Sequence, residues 1–560
     1  MHSSSFPGRK ATFWALVFAG VAVVAPFSVR GVACGHDLVF HMNSWLEVAQ
    51  QWRHWVIYPR WAVNANFGSG EPRFLFYPPL SWILGGALGS FIPWLFVPAA
   101  FDICAVVLAG WSMFTAAREW FEQPTAGLIA IAYAVNPYML ATIYARGAFG
   151  ELLAALFFPL LVLWIVRDRP ARQMLVPLAL TVAGVWLTNV PAAIIATYLT
   201  VGLLTIVTIL RRNSRVFLYG VAAIALGLAL AAFYIVPTLW EKSWITTSQL
   251  LAEGVRPIEN FLFARTGEPE HDRFLRALSW LAVAEVAATC LAMLGAQRWR
   301  KRNLRLWWAL TIMAAVAFLF MLPVAAIAYR MPDLRFLQFP WRWLLVIGVS
   351  YAVFVVTALP TFRGKSWLYA LALLALIAGC NRAFQPVCDP GETPFMISNL
   401  YGTGYGYMGT DEYTPAGGDN YEIKPDFPEY RLRTADGAPA TKARVTHLHS
   451  TGYRKQLSVE SPQPVELELR LMNYPAWRVE VNGKRVDAQS DDPTGRMVIA
   501  LPAGTSEVDV SFTRTPDRWL GDAITLAALL VVALLFASSR KREKEIASYD
   551  RPGTSREAAG

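Results

Sequence analysis

The sequence predicts a polytopic α-helical membrane protein of about 12 transmembrane helices with an outer, C-terminal β-sandwich-like domain. Three observations support this fold class. Hydrophobic residues make up 55% of the 560 residues and charged residues only 16%, whereas soluble domains are near a quarter charged. Apolar runs long enough to cross a bilayer recur along the chain. Near the C-terminus, polar and apolar residues alternate as they do in short strands, in the six segments ARVTHLH, RKQLSVE, VELELRL, WRVEVNG, RMVIALP and SEVDVSF.

The apolar runs predict the membrane helices, and the basic residues between them predict the orientation. The first run could be a signal peptide, but no small-residue cleavage site follows it, so we expect a retained helix. The basic clusters, among them Arg9-Lys10, Arg363/Lys365 and residues 540–544, all fall on one side, so both termini are predicted to be cytoplasmic. The predicted helices cover residues 12–30, 97–117, 124–143, 151–166, 174–188, 190–210, 217–238, 276–297, 305–329, 341–359, 366–380 and 519–538.

These helices divide the chain into six parts. Residues 79–92 are apolar but short, and Pro93 follows them, so we predict a re-entrant or surface-lying helix there and no crossing. The polar tail beyond Lys541 is expected to be disordered. The parts are the N-terminus with the first helix (1–30), the first outer loop (31–96), the helix bundle (97–380), the extracytoplasmic β-rich domain (381–518), the last transmembrane helix (519–538) and a basic cytoplasmic tail (539–560).

Charge and cysteine content exclude some classes of function. The net charge of +10 does not indicate nucleic-acid binding, because the basic residues lie in short loops between apolar runs. The five cysteines form no C-x-x-C pair, so no redox or metal motif is indicated. Cys380 and Cys388 both fall on the predicted outer side, where a disulfide could form, although unpaired thiols fit the spacing equally well.

The segment CGHDLVFHMNSWLEVAQQWRHWVIYPRW, residues 34–61, follows the first helix directly. Its tryptophans and tyrosines favour the membrane boundary and predict an amphipathic helix on the outer leaflet. Anchoring does not account for Asp37, whose carboxylate suits proton abstraction from an alcohol. His41 lies one turn later on the same face, so both are predicted catalytic residues, with His36 as a further donor. A metal site on Asp37 and His41 is also compatible with this spacing, but a hydrogen-bonded pair is the simpler interpretation and no metal is assigned.

Two further outer segments contain candidate substrate-binding residues. In NANFGSGEPRFLFYPPLSW, residues 64–82, glycines and prolines can fix the positions of Glu71, Arg73 and Tyr77. Arg73 could contact phosphate, or it could simply pair with Glu71. In NPYMLATIYARGAFGE, Arg146 and Glu151 could form a structural ion pair or the wall of a site.

The segment AYRMPDLRFLQFPWRW, residues 328–343, is unusually basic for an outer loop. Its arginines indicate an anionic ligand on that side, and a lipid phosphate or pyrophosphate suits guanidinium groups best. Anionic lipid head groups would account for the same charges. Arg335, Gln338 and Arg342 are therefore predicted to bind substrate.

Missing sequence motifs and intramembrane charges narrow the possible classes of function. The chain contains no P-loop and no G-x-S-x-G motif. The predicted membrane helices hold few interior charges apart from Asp102 and Glu285, whereas coupled transporters usually need intramembrane ionisable residues.

The segments GHDLVFH, YPRW, GEPRFLFYPPL, YARGAFGE and LQFPWRW resemble a bacterial membrane family labelled "6-pyruvoyl-tetrahydropterin synthase-related domain". The order of helices and outer regions resembles the GT-C superfamily of membrane glycosyltransferases. The resemblance covers about residues 10–380. We expect no pterin chemistry, because the chain has only seven histidines and no zinc-binding cluster of them.

The resemblance implies a GT-C-like fold in the cytoplasmic (inner) membrane, with an active site that faces outward. It also implies inverting sugar transfer from a polyprenyl-phosphate donor to a glycan, lipid or protein acceptor. Asp37 matches the acidic residue of the first outer loop, although many relatives have two adjacent acids and here the neighbour is His36. Arg335 or Arg342 would hold the donor phosphate. A divalent metal cofactor is compatible with the resemblance, since some members need one.

Two other classes of function use the same residues differently. A transporter or flippase of lipid-linked sugars would need the arginines and the aromatic residues but no base. A non-catalytic scaffold in envelope glycan assembly would need the outer domain and not Asp37.

Overall fold

The computed structural model describes residues 8–359, 366–386 and 388–549. Short 3-10 helices and one π-helical turn, Thr142–Arg146, connect several of the α-helices. The α-helices are α1 (Arg9–Val24), α2 (Phe27–Arg30), α3 (Leu38–Arg53), α4 (Ala65–Gly68), α5 (Arg73–Phe76), α6 (Pro79–Phe91), α7 (Val97–Ala117), α8 (Gln123–Ala134), α9 (Pro137–Ala141), α10 (Phe149–Ala154), α11 (Phe157–Val166), α12 (Leu175–Trp186), α13 (Val190–Arg211), α14 (Ser214–Leu230), α15 (Ala232–Glu241), α16 (Pro269–Gly295), α17 (Gln297–Arg300), α18 (Leu304–Phe320), α19 (Leu344–Ala358), α20 (Ser366–Phe384), α21 (Pro394–Gly402) and α22 (Pro516–Tyr549).

Within the described residues, 8 helical stretches are long and apolar enough to cross a membrane, or up to 10 if each of two bent pairs is one span. Two shorter apolar helices, Ala171–Trp186 and Leu368–Phe384, coincide with two further predicted helices. The chain is therefore a polytopic helical membrane protein, and the count of about 12 crossings stays a prediction. The 8 stretches are Arg9–Arg30, Trp94–Ala117, Gln123–Arg146, Phe149–Val166, Val190–Arg211, Pro269–Gly295, Pro340–Ala358 and Pro516–Ser538.

Two predicted helices, 217–238 and 305–329, are not single straight helices. The first breaks between α14 and α15 with a bend of 73°, and the second breaks after α18 with a bend of 86°. In the second case Pro323 begins a new 3-10 helix, because proline has no amide hydrogen to continue the preceding one. In the first case the new direction lets α15 pack on α22, where the Phe233 amide donates to Thr525 Oγ1 at 2.9 Å.

The helix predicted in residues 34–61 is present as α3, which begins directly after Asp37, but it does not have the exposed surface of a helix lying on a membrane. Its residues from His41 to Ala49 are all buried. Helix α6 packs against it, and a Cβ atom at Gly85 would lie only 2.2 Å from the ring of Trp45. The helix predicted over residues 79–92 is thus present as α6, while its re-entrant or surface-lying orientation stays a prediction.

The outer domain is a pair of antiparallel sheets, which confirms the predicted β-sandwich-like domain. The first sheet has the order β1-β4-β8-β7 and the second β2-β3-β9-β5-β6. All six strands predicted from alternating residues are present, because their inward-facing side chains, such as Leu467 and Val510, form the apolar core between the sheets. The strands are β1 (Tyr430–Arg433), β2 (Arg444–Ser450), β3 (Arg454–Ser461), β4 (Val465–Met472), β5 (Trp477–Val481), β6 (Lys484–Val486), β7 (Gln489–Ser490), β8 (Arg496–Leu501) and β9 (Gly504–Phe512).

The first outer loop is built into this domain. Trp61 is 1% exposed and its ring packs against Tyr474, Trp477 and Phe512, with ring centroids 5.5–5.7 Å away. A buried hydrogen bond connects the domain to the bundle, since the Tyr474 hydroxyl donates at 2.5 Å to Oε2 of Glu241, at the end of α15. The outer domain and the bundle therefore share apolar and polar contacts.

A disulfide joins Cys34 to Cys388. Neither alternative for Cys380 and Cys388 holds for both residues, since Cys380 is a buried free thiol in α20 and Cys388 is paired with Cys34. The difference arises because the first outer loop folds back to the end of α20, where Arg30 Nη1 donates to the carbonyl oxygen of Asn381 at 2.8 Å. Sequence spacing alone does not show that contact.

Helix α22 continues from the last predicted span to Tyr549, so the part of the basic tail expected to be disordered beyond Lys541 is helical up to that residue. Residues 550–560 lie outside the described residues, as does the predicted cytoplasmic pair Arg363/Lys365.

Candidate functional site

A buried carboxylate, Glu151, holds two guanidinium groups at one end of the bundle. Arg146 Nη1 donates to its Oε2 at 2.6 Å, and Arg342 Nε donates to the same oxygen at 3.0 Å. The other oxygen accepts a short hydrogen bond from the Tyr138 hydroxyl. The structural ion pair predicted for Arg146 and Glu151 is therefore present, and Arg342 joins it.

Asp37 forms the accessible edge of this group. Its side chain is 41% exposed, whereas those of Arg146, Glu151 and Arg342 are at most 8% exposed. Its Oδ2 lies 3.8 Å from Arg146 Nη2, which is an ion-pair distance but longer than a hydrogen bond. The four charges cancel formally, and Asp37 is the member that a ligand can reach.

Backbone contacts fix Asp37 against Arg146. The Asp37 amide donates to the Arg146 carbonyl oxygen at 2.9 Å. Gly35 makes this approach possible, because a Cβ atom there would lie 2.1 Å from the Arg146 carbonyl carbon. On the opposite side, the π-helical turn Thr142–Arg146 ends at Gly147 with φ of +59°. Such turns are frequent at functional sites. In this one the last residue, Arg146, lies next to Asp37.

His41 lies one turn of α3 after Asp37 and contacts Tyr77. His41 is 2% exposed, and its Nε2 atom lies 3.4 Å from the Tyr77 hydroxyl. Burial lowers the pKa of His41 to about 4, so its imidazole is neutral at pH 7. The side-chain contact of His41 is therefore with Tyr77, and its catalytic role stays a prediction.

The predicted binding residues of the basic outer loop lie in two places, one at the ion-pair group and the others away from it. The ring of Phe339 contacts both guanidinium groups, with its centroid 4.8 Å from Arg342 and 5.6 Å from Arg146. Arg335 is exposed and lies over the ring of its neighbour Phe336. Gln338 has a φ of +62° and donates to the Leu250 carbonyl oxygen at 3.0 Å. Arg342 therefore joins the ion-pair group, and Arg335 and Gln338 do not.

Glu71 and Arg73 form a separate buried pair. Arg73 Nε donates to Glu71 Oε1 at 2.6 Å, and its Nη atoms donate to the Phe40 carbonyl, the Ser44 hydroxyl and the Thr410 hydroxyl. Arg73 is only 2% exposed. The Arg73–Glu71 pair is therefore present, and a phosphate contact of Arg73 stays a prediction.

The sequence did not single out four residues of this region, Tyr138, His271, Phe274 and Trp341. The exposed imidazole of His36 packs edge-on against Phe274, with ring centroids 5.3 Å apart. Phe274 in turn packs against Trp341. Phe274 and His271 both lie near the start of α16. Tyr138 and Trp341 lie inside segments that the sequence singled out, but His271 and Phe274 come from a stretch with no motif. Only the fold brings α16 to Asp37.

The described residues contain no group of three or more His, Cys, Asp or Glu side chains placed to hold a metal ion. The immediate neighbour of Asp37 is the Arg146 guanidinium, which repels a cation. Arg342 Nη2 makes no hydrogen bond to any residue that the structure describes. The group therefore combines an accessible carboxylate with cationic donors suited to an anionic oxygen.

Comparisons with solved structures find similarity to membrane glycosyltransferases. An oligosaccharyltransferase from Archaeoglobus fulgidus in its apo form has 15% identity and a TM-score of 0.40, and the alignment covers 72% of this chain and 57% of that one. The arabinofuranosyltransferase AftD from Mycobacteria has 15% identity and a TM-score of 0.44 over 91% of this chain and 40% of that one. The chain thus spans only about half of each of these proteins. No family model and no curated protein sequence matches it, so the pterin-synthase-related label stays a prediction.

Proposed function

We propose that the chain is a membrane glycosyltransferase. It would move a sugar from a polyprenyl-phosphate donor to a glycan, lipid or protein acceptor on the outer side of the cytoplasmic membrane. The observation that carries this proposal is the accessible carboxylate of Asp37 next to a buried pair of guanidinium groups. Sugar transfer from a lipid phosphate needs both kinds of group, a base for the acceptor hydroxyl and cations for the departing phosphate.

In the proposed reaction Asp37 takes the proton of the acceptor hydroxyl. That oxygen forms a bond to the anomeric carbon while the bond from this carbon to the phosphate oxygen breaks, and the electron pair leaves with the phosphate. Attack from the side opposite the leaving group inverts the configuration. Asp37 suits the role because its side chain is accessible and the hydrogen bond from its backbone N–H to the Arg146 carbonyl oxygen fixes its position.

Arg342 and Arg146 would stabilise the polyprenyl phosphate as it leaves. The donor phosphodiester carries one negative charge, and the departing phosphate gains a second as the bond breaks. Cations fixed in place before the reaction therefore bind the transition state better than the ground state. Glu151 would act as a positioning residue, since it holds both guanidinium groups at 2.6 and 3.0 Å without reaching the substrate itself.

No metal ion enters this proposal. The residues around Asp37 do not form a ligand set, and the charge beside Asp37 is positive. We therefore derive no step through a divalent cation.

The test compares glycan and glycolipid mass profiles of cells that lack the gene and are complemented with defined variants at equal membrane levels. We expect wild type to restore one sugar-sized mass increment and Asp37→Asn not to restore it. Asp426→Asn, which changes an exposed carboxylate in the outer domain, is the matched control and should restore it. Full restoration by Asp37→Asn would refute the role of Asp37 as base.

The same experiment separates the rival functions. A flippase would move its lipid without changing it, so lipid-linked sugar would accumulate on the inner leaflet and Asp37→Asn would restore the profile. A scaffold would lose function when the outer domain is deleted and keep it with Asp37→Asn.

A further inference from the structure

A row of contacting rings runs from His36 to the ion-pair group. The His36 and Phe274 centroids are 5.3 Å apart, Phe274 and Trp341 5.9 Å, and Trp341 and Phe339 4.7 Å. At its far end Phe339 lies under the Arg342 guanidinium. At its near end His36 directly precedes Asp37 in the chain. The aromatic row, defined as these four residues, thus connects the proposed base to the proposed phosphate site.

Two polar atoms at this row are buried without a partner among the described residues. One is Nε1 of Trp341, whose side chain is 1% exposed, and the other is Nε2 of His271. Buried polar groups nearly always find a partner, and a tryptophan N–H is no exception. His271 lies three residues before Phe274 on α16, so the two side chains share a helix face. Unpaired groups beside aromatic rings indicate a ligand with hydroxyl groups.

We propose that the aromatic row and His271 form a subsite for a neutral sugar ring. This inference rests on the proposed function and adds to it the group that places the sugar between Asp37 and the two arginines. The accessible rings of His36 and Phe274 would pack on the apolar face of the sugar, with Trp341 behind them, and the two histidines and the Trp341 N–H would bond its hydroxyl groups. Binding sites commonly combine an apolar lining with a few polar groups of this kind.

The charge state of His36 favours a neutral ring over an acidic one. Loss of water on its packed side lowers the pKa of His36, and the charges of Arg146 and His271 act in the same direction, while Asp37 opposes them. A neutral imidazole both donates and accepts hydrogen bonds, as a hydroxyl requires. An anionic sugar would also meet the carboxylate of Asp37.

The prenyl chain of the donor fits this place less well. An isoprenoid has no acceptor for the Trp341 N–H or for His271, so both would remain buried and unpaired. The same ring chemistry could come from the donor sugar or from the acceptor sugar. The experiment therefore has an arm for each.

The test uses the full-length protein in nanodiscs and saturation-transfer NMR with methyl glycosides of glucose, galactose, mannose and arabinose. We expect ring-proton signals from at least one glycoside with wild type, their loss in Phe274→Ala and their weakening in His271→Ala. Phe395→Ala, which removes an exposed aromatic ring on α21, should leave the signals unchanged. Phe274→Leu keeps an apolar side chain without the aromatic face and should also lose them, which separates the ring effect from misfolding.

The second arm adds undecaprenyl phosphate carrying the same sugar. Displacement of the glycoside assigns the ring to the donor, and continued binding assigns it to the acceptor. In a transfer assay the KM of that substrate should rise by about tenfold or more in Phe274→Ala, with a smaller change in kcat. The absence of any glycoside signal with wild type, or unchanged signals in Phe274→Ala, would overturn the proposal.

The two proposals fail in distinguishable ways. If no glycoside binds but Asp37→Asn still abolishes the mass increment, the transferase stands and the subsite is wrong. If glycosides bind through Phe274 but Asp37→Asn restores the increment, the subsite stands and the transferase is wrong.

Discussion

Replacing Glu151 by glutamine removes the charge that holds the two arginines and keeps nearly the same shape. In the native site Glu151 is 1% exposed and accepts hydrogen bonds from Arg146, Arg342 and Tyr138. After the substitution two buried guanidinium groups share only the distant carboxylate of Asp37. The formal charge of the group changes from zero to +1.

Removal of one partner from a buried ion pair typically costs about 3–5 kcal/mol, mainly because the other charge is left uncompensated. We expect Glu151→Gln to lower the free energy of unfolding by an amount in this range. Such a loss is a large part of the roughly 5–15 kcal/mol that usually stabilises a folded protein. Removing one guanidinium as well should recover part of it, so Glu151→Gln/Arg342→Gln should be more stable than Glu151→Gln alone.

The assay is reversible unfolding of the purified protein in mixed micelles, carried out for wild type, both single variants and the double variant. The coupling energy between residues 151 and 342 follows from this cycle. A cost below about 1 kcal/mol for Glu151→Gln, or no recovery in the double variant, would show that the two arginines do not depend on Glu151. The account of Glu151 as their holder would then be wrong.

Three other perturbations test different parts of the structure. Cys34→Ala should expose Cys388 to maleimide without prior reduction and lower the free energy of unfolding by about 2–5 kcal/mol. Trp61→Ala should cost about 3–5 kcal/mol and make the outer domain more sensitive to protease, because this ring fills the core under the sheets. His41 has a pKa of about 4 when folded against 6.5 when unfolded, so the unfolded chain binds the extra proton between these values. Stability should therefore fall as the pH drops from 6.5 to 4, by up to about 3 kcal/mol, and His41→Gln should flatten this part of the titration.

Much of the fold could be predicted because its signals are local. Apolar length predicts the helices, and alternation predicts the six longer strands of the outer domain. The strands that were missed, β1, β6 and β7, have at most four residues, too few to show an alternating pattern. The bends after α14 and α18 were also missed, because a continuous apolar run does not reveal where a helix changes direction.

The site could be predicted only in part. Asp37, Arg146, Glu151 and Arg342 lie in conspicuous segments, but their grouping depends on contacts between distant parts of the chain. The sequence could not tell which of Arg335 and Arg342 belongs to the site. Arg342 is buried and Arg335 is exposed, and this difference follows from packing that the sequence does not show. His271 gave no signal, because a single histidine at the start of a helix has no pattern.

The first outer loop makes its stabilising contacts with the C-terminal part of the chain, which affects the order in which the protein folds. Cys34 emerges from the ribosome 354 residues before its disulfide partner. The ring of Trp61 likewise stays uncovered until strands β5 and β9 have been made. During synthesis this loop must therefore persist with a reactive thiol and an uncovered apolar surface until the C-terminal part of the chain has been made, a state that favours aggregation. In the proposed orientation the loop lies outside the cytoplasm, so cells with weakened extracytoplasmic chaperones should accumulate the protein cut within its first outer loop.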